Sequence, residues 1–234
     1  IECSACKESL NETIISATEG WIHTFAHFLS EQGGQNGASG VDVLVVNLQE
    51  IGGKKYNKHF NEYLATMVHK LYPGAGWCSG LLMSTQNDET TFTAMGTVIF
   101  LSARIVPVSS LLSVRHRTFV AVADDPATFT GNSNNLFHGA KFSNAEKSRK
   151  GFLLAAIRVG HTVMNFLNLH LFHDADNAVA VADSPSKYVP KREDAFLEAM
   201  QEVLPVIQPD DALFVLGDLN TRLDGHKLMK YMKT

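Results

Sequence analysis

Apolar positions along this chain alternate between two spacings. Over 9–31, Ile14, Ile15, Trp21, Ile22, Phe25, Phe28 and Leu29 recur every three or four residues, which predicts an amphipathic helix with Ser9 or Asn11 as its cap. The same spacing predicts a helix over 54–71, with Phe60, Leu64, Met67, Val68 and Leu71 inward, ended by Pro73 and Gly74. A third helix is predicted over 191–207, with Phe196, Leu197, Met200, Val203 and Leu204 buried. Elsewhere the apolar residues run together. VDVLVVNLQE (41–50) is expected as a fully buried strand, and FTAMGTVIFL (92–101), RIVPVSS (104–110) and TFVAVA (118–123) as further strands. GFLLAAIRVG and HTVMNFLNLHLF form a hairpin around Gly160 and His161, and ALFVLGDLN is a last buried strand, followed by the start of a helix in DGHKLMKYMK. The polar, Gly- and Asn-rich stretch 124–150 is expected as a long surface loop.

Strands in hairpins with helices interspersed argue for a mixed α/β (α+β) protein with largely antiparallel sheets, not a doubly wound parallel sheet. No internal repeat and no composition break divides the 234 residues, so one domain is expected.

Charge narrows the chemistry. A net charge of −4 provides no basic field for bulk nucleic-acid binding, so a phosphate-rich substrate would need locally placed cations or a metal. No run of 18 apolar residues exists to span a bilayer, and the N-terminal IECSACKESL lacks the pattern of a secretory leader. Cys3 and Cys6 form a lone CxxC, which without a second ligand pair reads as free thiols of a cytoplasmic protein.

Three apolar strands end in polar groups: Gln49 and Glu50, then His170, then Asp218 and Asn220. Polar residues at several strand tips are how a site is assembled from distant parts of a chain. Each also has an ordinary structural reading. Glu50 could cap a loop, His170 could be a satisfied core histidine, and Gly-Asp-x-Asn could close a turn. Read for chemistry, Glu50 suits Mg²⁺, which takes one or two carboxylates and completes its shell with water and phosphate. Asp218 and Asn220, two apart on one strand face, suit an acid that orients water beside an amide that donates to phosphate oxygen. His173 supplies a second imidazole three residues after His170.

The order acid-after-Gln, strand-end His and Gly-Asp-x-Asn strand resembles the endonuclease/exonuclease/phosphatase superfamily. FVLGDLNTRLD is similar to the first signature of the inositol polyphosphate 5-phosphatases, with Thr221 where that pattern carries an aromatic residue. LQEIGGKKY, SRKGF and NLHLFHDADNAVAVADSPSKYVPKRE look more specifically like the type I enzymes. The resemblance covers about 41–224. It implies a DNase I-like four-layer sandwich, two mainly antiparallel sheets flanked by helices, and an Mg²⁺-dependent phosphatase. The reaction would remove the 5-phosphate of inositol 1,4,5-trisphosphate, and of the 1,3,4,5-tetrakisphosphate, ending inositol phosphate and calcium signalling.

Carried over residue by residue, Glu50 resembles the Mg²⁺ ligand, His170 the group that holds the scissile phosphate, Asp218 the group that orients the attacking water and Asn220 the phosphate-binding amide. Lys150, with Lys191 or Arg192, resembles the cations facing the other ring phosphates, while Gln49, Arg222 and His173 are supporting residues. The partners implied are soluble inositol phosphates and not nucleic acid, for a monomeric cytoplasmic protein; a C-terminal lipidation signal and peripheral membrane association stay open. The family pattern also has an Asn on an earlier strand, a Cys-Asp-Arg signature and a late Asp-His pair. None is found in this chain, so residues 1–234 are expected to be one catalytic domain lacking its first strand and its C-terminal part. A nuclease or sphingomyelinase of the same superfamily, or a non-catalytic inositol phosphate binder, are the competing expectations.

Overall fold

The computed structural model describes residues 20, 24, 42–50, 77–84, 93–102, 104–114, 116–122, 137–146, 148–176, 185–221 and 230–232. The helix expected over 9–31, apart from Gly20 and Thr24, the helix expected over 54–71, the Cys3/Cys6 pair and Arg222 lie outside them.

The described strands form two sheets. In the first, β3 (Met95–Ser102) lies between β1 (Val43–Leu48) and β2 (Trp77–Ser84), all antiparallel. The second has the order β5 (Thr118–Ala121), β4 (Ser109–Ser113), β7 (Gly151–Val159), β8 (Thr162–His170), β9 (Ala212–Asp218). A further strand, β6 (Phe137–Lys141), pairs with residues 151–155 of β7, along the same edge that β4 joins at 157–159. All pairs are antiparallel except β8 with β9. This two-sheet, mainly antiparallel architecture is the one expected.

The side-chain alternation of β7 and β8 sorts the core into two layers. Ala155, Ile157 and Phe166 face the first sheet and pack with Ile99 and Leu101, beside Val43 and Val45. Phe152, Leu154, Leu167 and Leu169 face the other way, onto helix α1 (Val189–Val203), against Ala195, Ala199 and Val203.

Four expectations are corrected. Over 104–110, Pro107 cannot donate to a ladder; residues Val106–Val108 form a 3-10 turn, and the strand begins at Ser109. The expected loop over 124–150 contains β6, a short, largely polar strand without an apolar run to announce it, and β2 was likewise not anticipated. Helix α1 meets the core with Val203, Phe196 and Met200 as expected, but Leu197 and Leu204 are exposed and the centre of the buried face is Arg192, Ala195 and Ala199. Small alanines let the helix lie close to the sheet. Finally, two strands expected to be buried are not: β9 is the last strand of its sheet among the described residues, with Phe214, Val215 and Leu216 exposed, and β1 is only half-buried along its length.

Candidate active site

The hairpin of β7 and β8 fixes the first part of the site. Gly160, in the left-handed region, makes the tight turn, and the resulting register sets Gly151 opposite His170. Lys150, one residue before β7, therefore lies beside the last residue of β8. Both are buried, Lys150 being 3% and His170 0% exposed. His170 Nδ1 is 3.1 Å from the carbonyl oxygen of Arg149, which can only accept, so Nδ1 carries the proton. In the neutral ring Nε2 is then an acceptor, and Lys150 Nζ donates to it at 2.5 Å. Burial, and next the Lys150 charge, hold the imidazole below its ordinary pKa. Burial likewise pushes the Lys150 ammonium down, opposed by the charges of Glu50 and Asp218.

Parallel pairing of β8 with β9 supplies the second part. His170 is the register partner of Asp218, and Asp218 Oδ2 lies 3.7 Å from His170 Nε2. Gly217 makes this possible: it sits at φ +122, and an added Cβ would collide with the carbonyl oxygen of Leu169. The glycine of the Gly-Asp-x-Asn stretch is therefore a requirement of close strand approach. Beyond it, Asp218 Oδ1 accepts from the Asn220 backbone N–H at 3.0 Å, and Asn220 Nδ2 donates to the Leu171 carbonyl at 2.9 Å. Asn220 is also in the left-handed region, which its short amide tolerates.

The third part comes from the other sheet. Glu50, two residues past β1, brings Oε1 to 3.6 Å from the same His170 Nε2. Its backbone has φ 56, an uncommon conformation for a non-glycine residue and the kind of strain that collects at functional sites. The side chains of Glu50 and Asp218 are 57% and 48% exposed, so two accessible carboxylates converge over a buried Lys–His pair. Four of the residues expected from sequence, from four separate stretches, thus meet at one imidazole nitrogen.

The others stand apart from that nitrogen. Arg192 is buried and donates from Nη1 to Asp174 Oδ2 at 3.2 Å and to the Phe172 carbonyl at 3.3 Å. Ser186 donates to the other oxygen of Asp174. Arg192 thus ties the segment after His170 to α1. Lys191 lies over the Phe172 ring at 4.1 Å, and His173 is exposed, with Nδ1 2.6 Å from the Asp174 carbonyl oxygen.

Asn168 was missed from sequence. It is fully buried, two residues before His170 on the same strand face, and joins the two sheets. Its Nδ2 donates to the carbonyls of Gly96 (2.9 Å) and Leu48 (3.3 Å), and its Oδ1 accepts from Gln49 Nε2 at 2.5 Å. The available signal was an amide on the inward face of an otherwise apolar strand. Its neighbours Asn47 and Thr97, register partners, hydrogen-bond to each other at 2.8 Å.

Among the described residues no cluster of three or more His, Cys, Asp or Glu has a metal-holding arrangement. The donors present, one or two accessible carboxylates, fit a hard cation that keeps most of its waters, and not a fully protein-ligated ion.

In class, then, the chain is a two-sheet, mainly antiparallel sandwich whose strand tips gather two carboxylates over a buried Lys–His pair. No family model matches it. Its sequence is 26% identical to inositol polyphosphate-5-phosphatase A of Homo sapiens over 203 residues, covering 82% of this chain and 48% of that protein. It is 23% identical to the probable type I inositol 1,4,5-trisphosphate 5-phosphatase of Caenorhabditis elegans over 199 residues, covering 79% and 47%. The resemblance to type I inositol polyphosphate 5-phosphatases therefore extends over most of the chain, which spans about half the length of the curated relatives it matches. Among solved structures, the inositol polyphosphate 5-phosphatase domain of SPsynaptojanin in complex with inositol (1,4)-bisphosphate and calcium ion aligns with a TM-score of 0.47 at 13% identity, covering 82% of this chain and 48% of that one. No described helix is long and apolar enough to cross a membrane.

Proposed function

We propose that the whole protein is an Mg²⁺-dependent phosphatase that hydrolyses the 5-phosphate of inositol 1,4,5-trisphosphate, and of the 1,3,4,5-tetrakisphosphate. The observation that carries this reading is the convergence of Glu50 and Asp218 on the nitrogen of His170 that Lys150 also engages. Two exposed carboxylates over a buried cation suit a reaction in which water attacks a multiply charged phosphate.

In this reading Glu50 holds the metal together with water and substrate oxygens. When bound, the ion neutralises charge on the scissile phosphate. Asp218 accepts a hydrogen bond from the attacking water and aims its oxygen at phosphorus, opposite the ester oxygen that leaves with the inositol ring. His170 cannot donate from Nε2 while neutral, because the single ring N–H is on Nδ1, held toward the Arg149 carbonyl, and the Nε2 lone pair accepts from Lys150. The donor at this point of the site is Lys150 itself, which faces the phosphate oxygens beside His170. Asn220 has two amide protons; one is given to Leu171 and the second is available to phosphate. Lys191 is assigned to another ring phosphate at the rim, with Gln49 and His173 in support. Arg192, matched by Asp174, acts by positioning the segment that follows His170.

The test is phosphate release from inositol 1,4,5-trisphosphate by the full-length protein, with and without Mg²⁺. Release should need the metal and fall by two or more orders of magnitude in Asp218→Ala and His170→Ala, on the scale of lost general acid–base groups, roughly 10²–10⁴-fold. Wild-type rates in either variant would overturn the assignment.

A further inference from the structure

The apolar inter-sheet layer built on Ile99, Ile157 and Phe166 does not continue to the site. One step along β8 from Phe166 on the same face it gives way to Asn168, and one further step to His170. Asn168 is the last inward residue below the imidazole, and its side-chain hydrogen bonds to the Leu48 and Gly96 carbonyls and from the Gln49 amide all reach the other sheet. Leu48 ends β1, Gln49 follows it, and Glu50 is next, in its left-handed conformation. Glu50 meets His170 only if the end of β1 is held at one height and one distance from β8. No covalent or backbone ladder link spans β1 and β8, which belong to different sheets.

We infer that Asn168 is a positioning residue, an inter-sheet clasp that grips Leu48 and Gln49 and so sets the Glu50 carboxylate against His170. Its chemistry suits the task. An amide is the side chain that can donate twice to carbonyls and accept once from Gln49 at one point. A carboxylate would have no proton for Leu48 or Gly96, and a smaller residue would leave those carbonyls buried without a donor. The same clasp makes Gln49 functional: its side chain ties the residue before Glu50 to the strand that carries His170. The inference rests on Glu50 being the metal-side carboxylate only for its consequence in metal affinity, not for the geometry.

The experiment uses the full-length protein with ¹⁵N-labelled histidine. In the wild type, Glu50→Gln should shift the His170 ring resonances, because the carboxylate lies beside Nε2. In Asn168→Asp and in Gln49→Met backgrounds the same Glu50→Gln change should move them by less than half as much. Gln49 is only partly buried, so Gln49→Met remains readable if Asn168→Asp does not fold. Calorimetric Mg²⁺ titration of the same proteins should show affinity weakened about 10–100-fold in both backgrounds, as expected when support behind a metal ligand is lost. An undiminished ring shift in Gln49→Met overturns the clasp. Unchanged Mg²⁺ affinity in Glu50→Gln overturns the metal reading of Glu50 and leaves the clasp judged by the ring shifts.

Discussion

His170 and Asp218 are opposite residues of two parallel strands, ending at the same height, with Nε2 and Oδ2 3.7 Å apart. Parallel pairing puts two strand tips side by side; in an antiparallel pair a tip meets the partner's beginning, as His170 meets Gly151 across the hairpin. The site uses both arrangements. The antiparallel partner brings Lys150 from before β7, and the parallel partner brings Asp218.

That juxtaposition depends on Gly217. Alanine there would drive Cβ into the Leu169 backbone, whose nitrogen would lie 2.7 Å away, at a φ that L-residues avoid. Gly217→Ala is expected to separate the ends of β8 and β9 and to destabilise strongly. Gly160→Ala is the control: its φ is also positive, but an added Cβ meets nothing within 4 Å. It should cost only about 1–2 kcal/mol, the penalty of a left-handed residue. Urea midpoints of the two variants check the order; equal losses would mean that close strand approach is not what fixes the glycine.

The buried Arg192–Asp174 pair should behave as a unit. Removing either partner takes a buried ion pair from the residue that stays, so Arg192→Met and Asp174→Asn are each expected to destabilise, by up to about 3–5 kcal/mol. The double variant should cost clearly less than the two losses together, as coupled neighbours do. A double-mutant cycle by chemical denaturation measures this. Additive losses would show that the two residues contribute independently.

Stability should decline in mild acid through His170. Its folded-state pKa lies below the ordinary 6.5, chiefly from burial. As the pH falls through 6.5, the unfolded chain takes up a proton that the folded chain refuses, so the stabilising contribution is present above this value and is lost below it. His170→Gln, measured in metal-free buffer, should show a flatter stability profile between pH 7 and the onset of acid unfolding. Parallel profiles for the two proteins would contradict the assignment.

The strand tips were legible because each is a polar residue closing a mainly apolar run: Glu50, His170 and Asp218 could be marked without knowing what they face. The pairing of β7 with β8 was equally plain from the Gly160 turn. What stayed hidden depends on partners from far along the chain. Helix α1 presents alanines and Arg192 inward because Asp174 and the sheet are there to receive them, and no periodicity of large apolar residues encodes that. β6 is five residues of mixed character that become a strand only because β7 offers an open edge. Asn168 resembles a misplaced polar residue until the Leu48 and Gly96 carbonyls of the other sheet are placed opposite it.

Glu50 is the residue at which function and stability should be separable. Its φ of 56 is unfavourable for glutamate, and its side chain is largely exposed, so little packing compensates. Glycine adopts that conformation freely, while the negative charge it removes both repels Asp218 and attracts the buried Lys150 ammonium, two effects that oppose each other. Glu50→Gly should therefore stabilise the fold by up to about 1 kcal/mol, the left-handed penalty less the extra chain entropy of glycine. Glu50→Gln keeps the backbone cost and removes only the charge, so it should gain less. Both variants should lose Mg²⁺ binding alike. Urea denaturation of the three proteins without metal, alongside calorimetric Mg²⁺ titration, separates the terms. If Glu50→Gly were less stable than Glu50→Gln, the left-handed turn would be held by contacts of the side chain, not imposed on it by the fold.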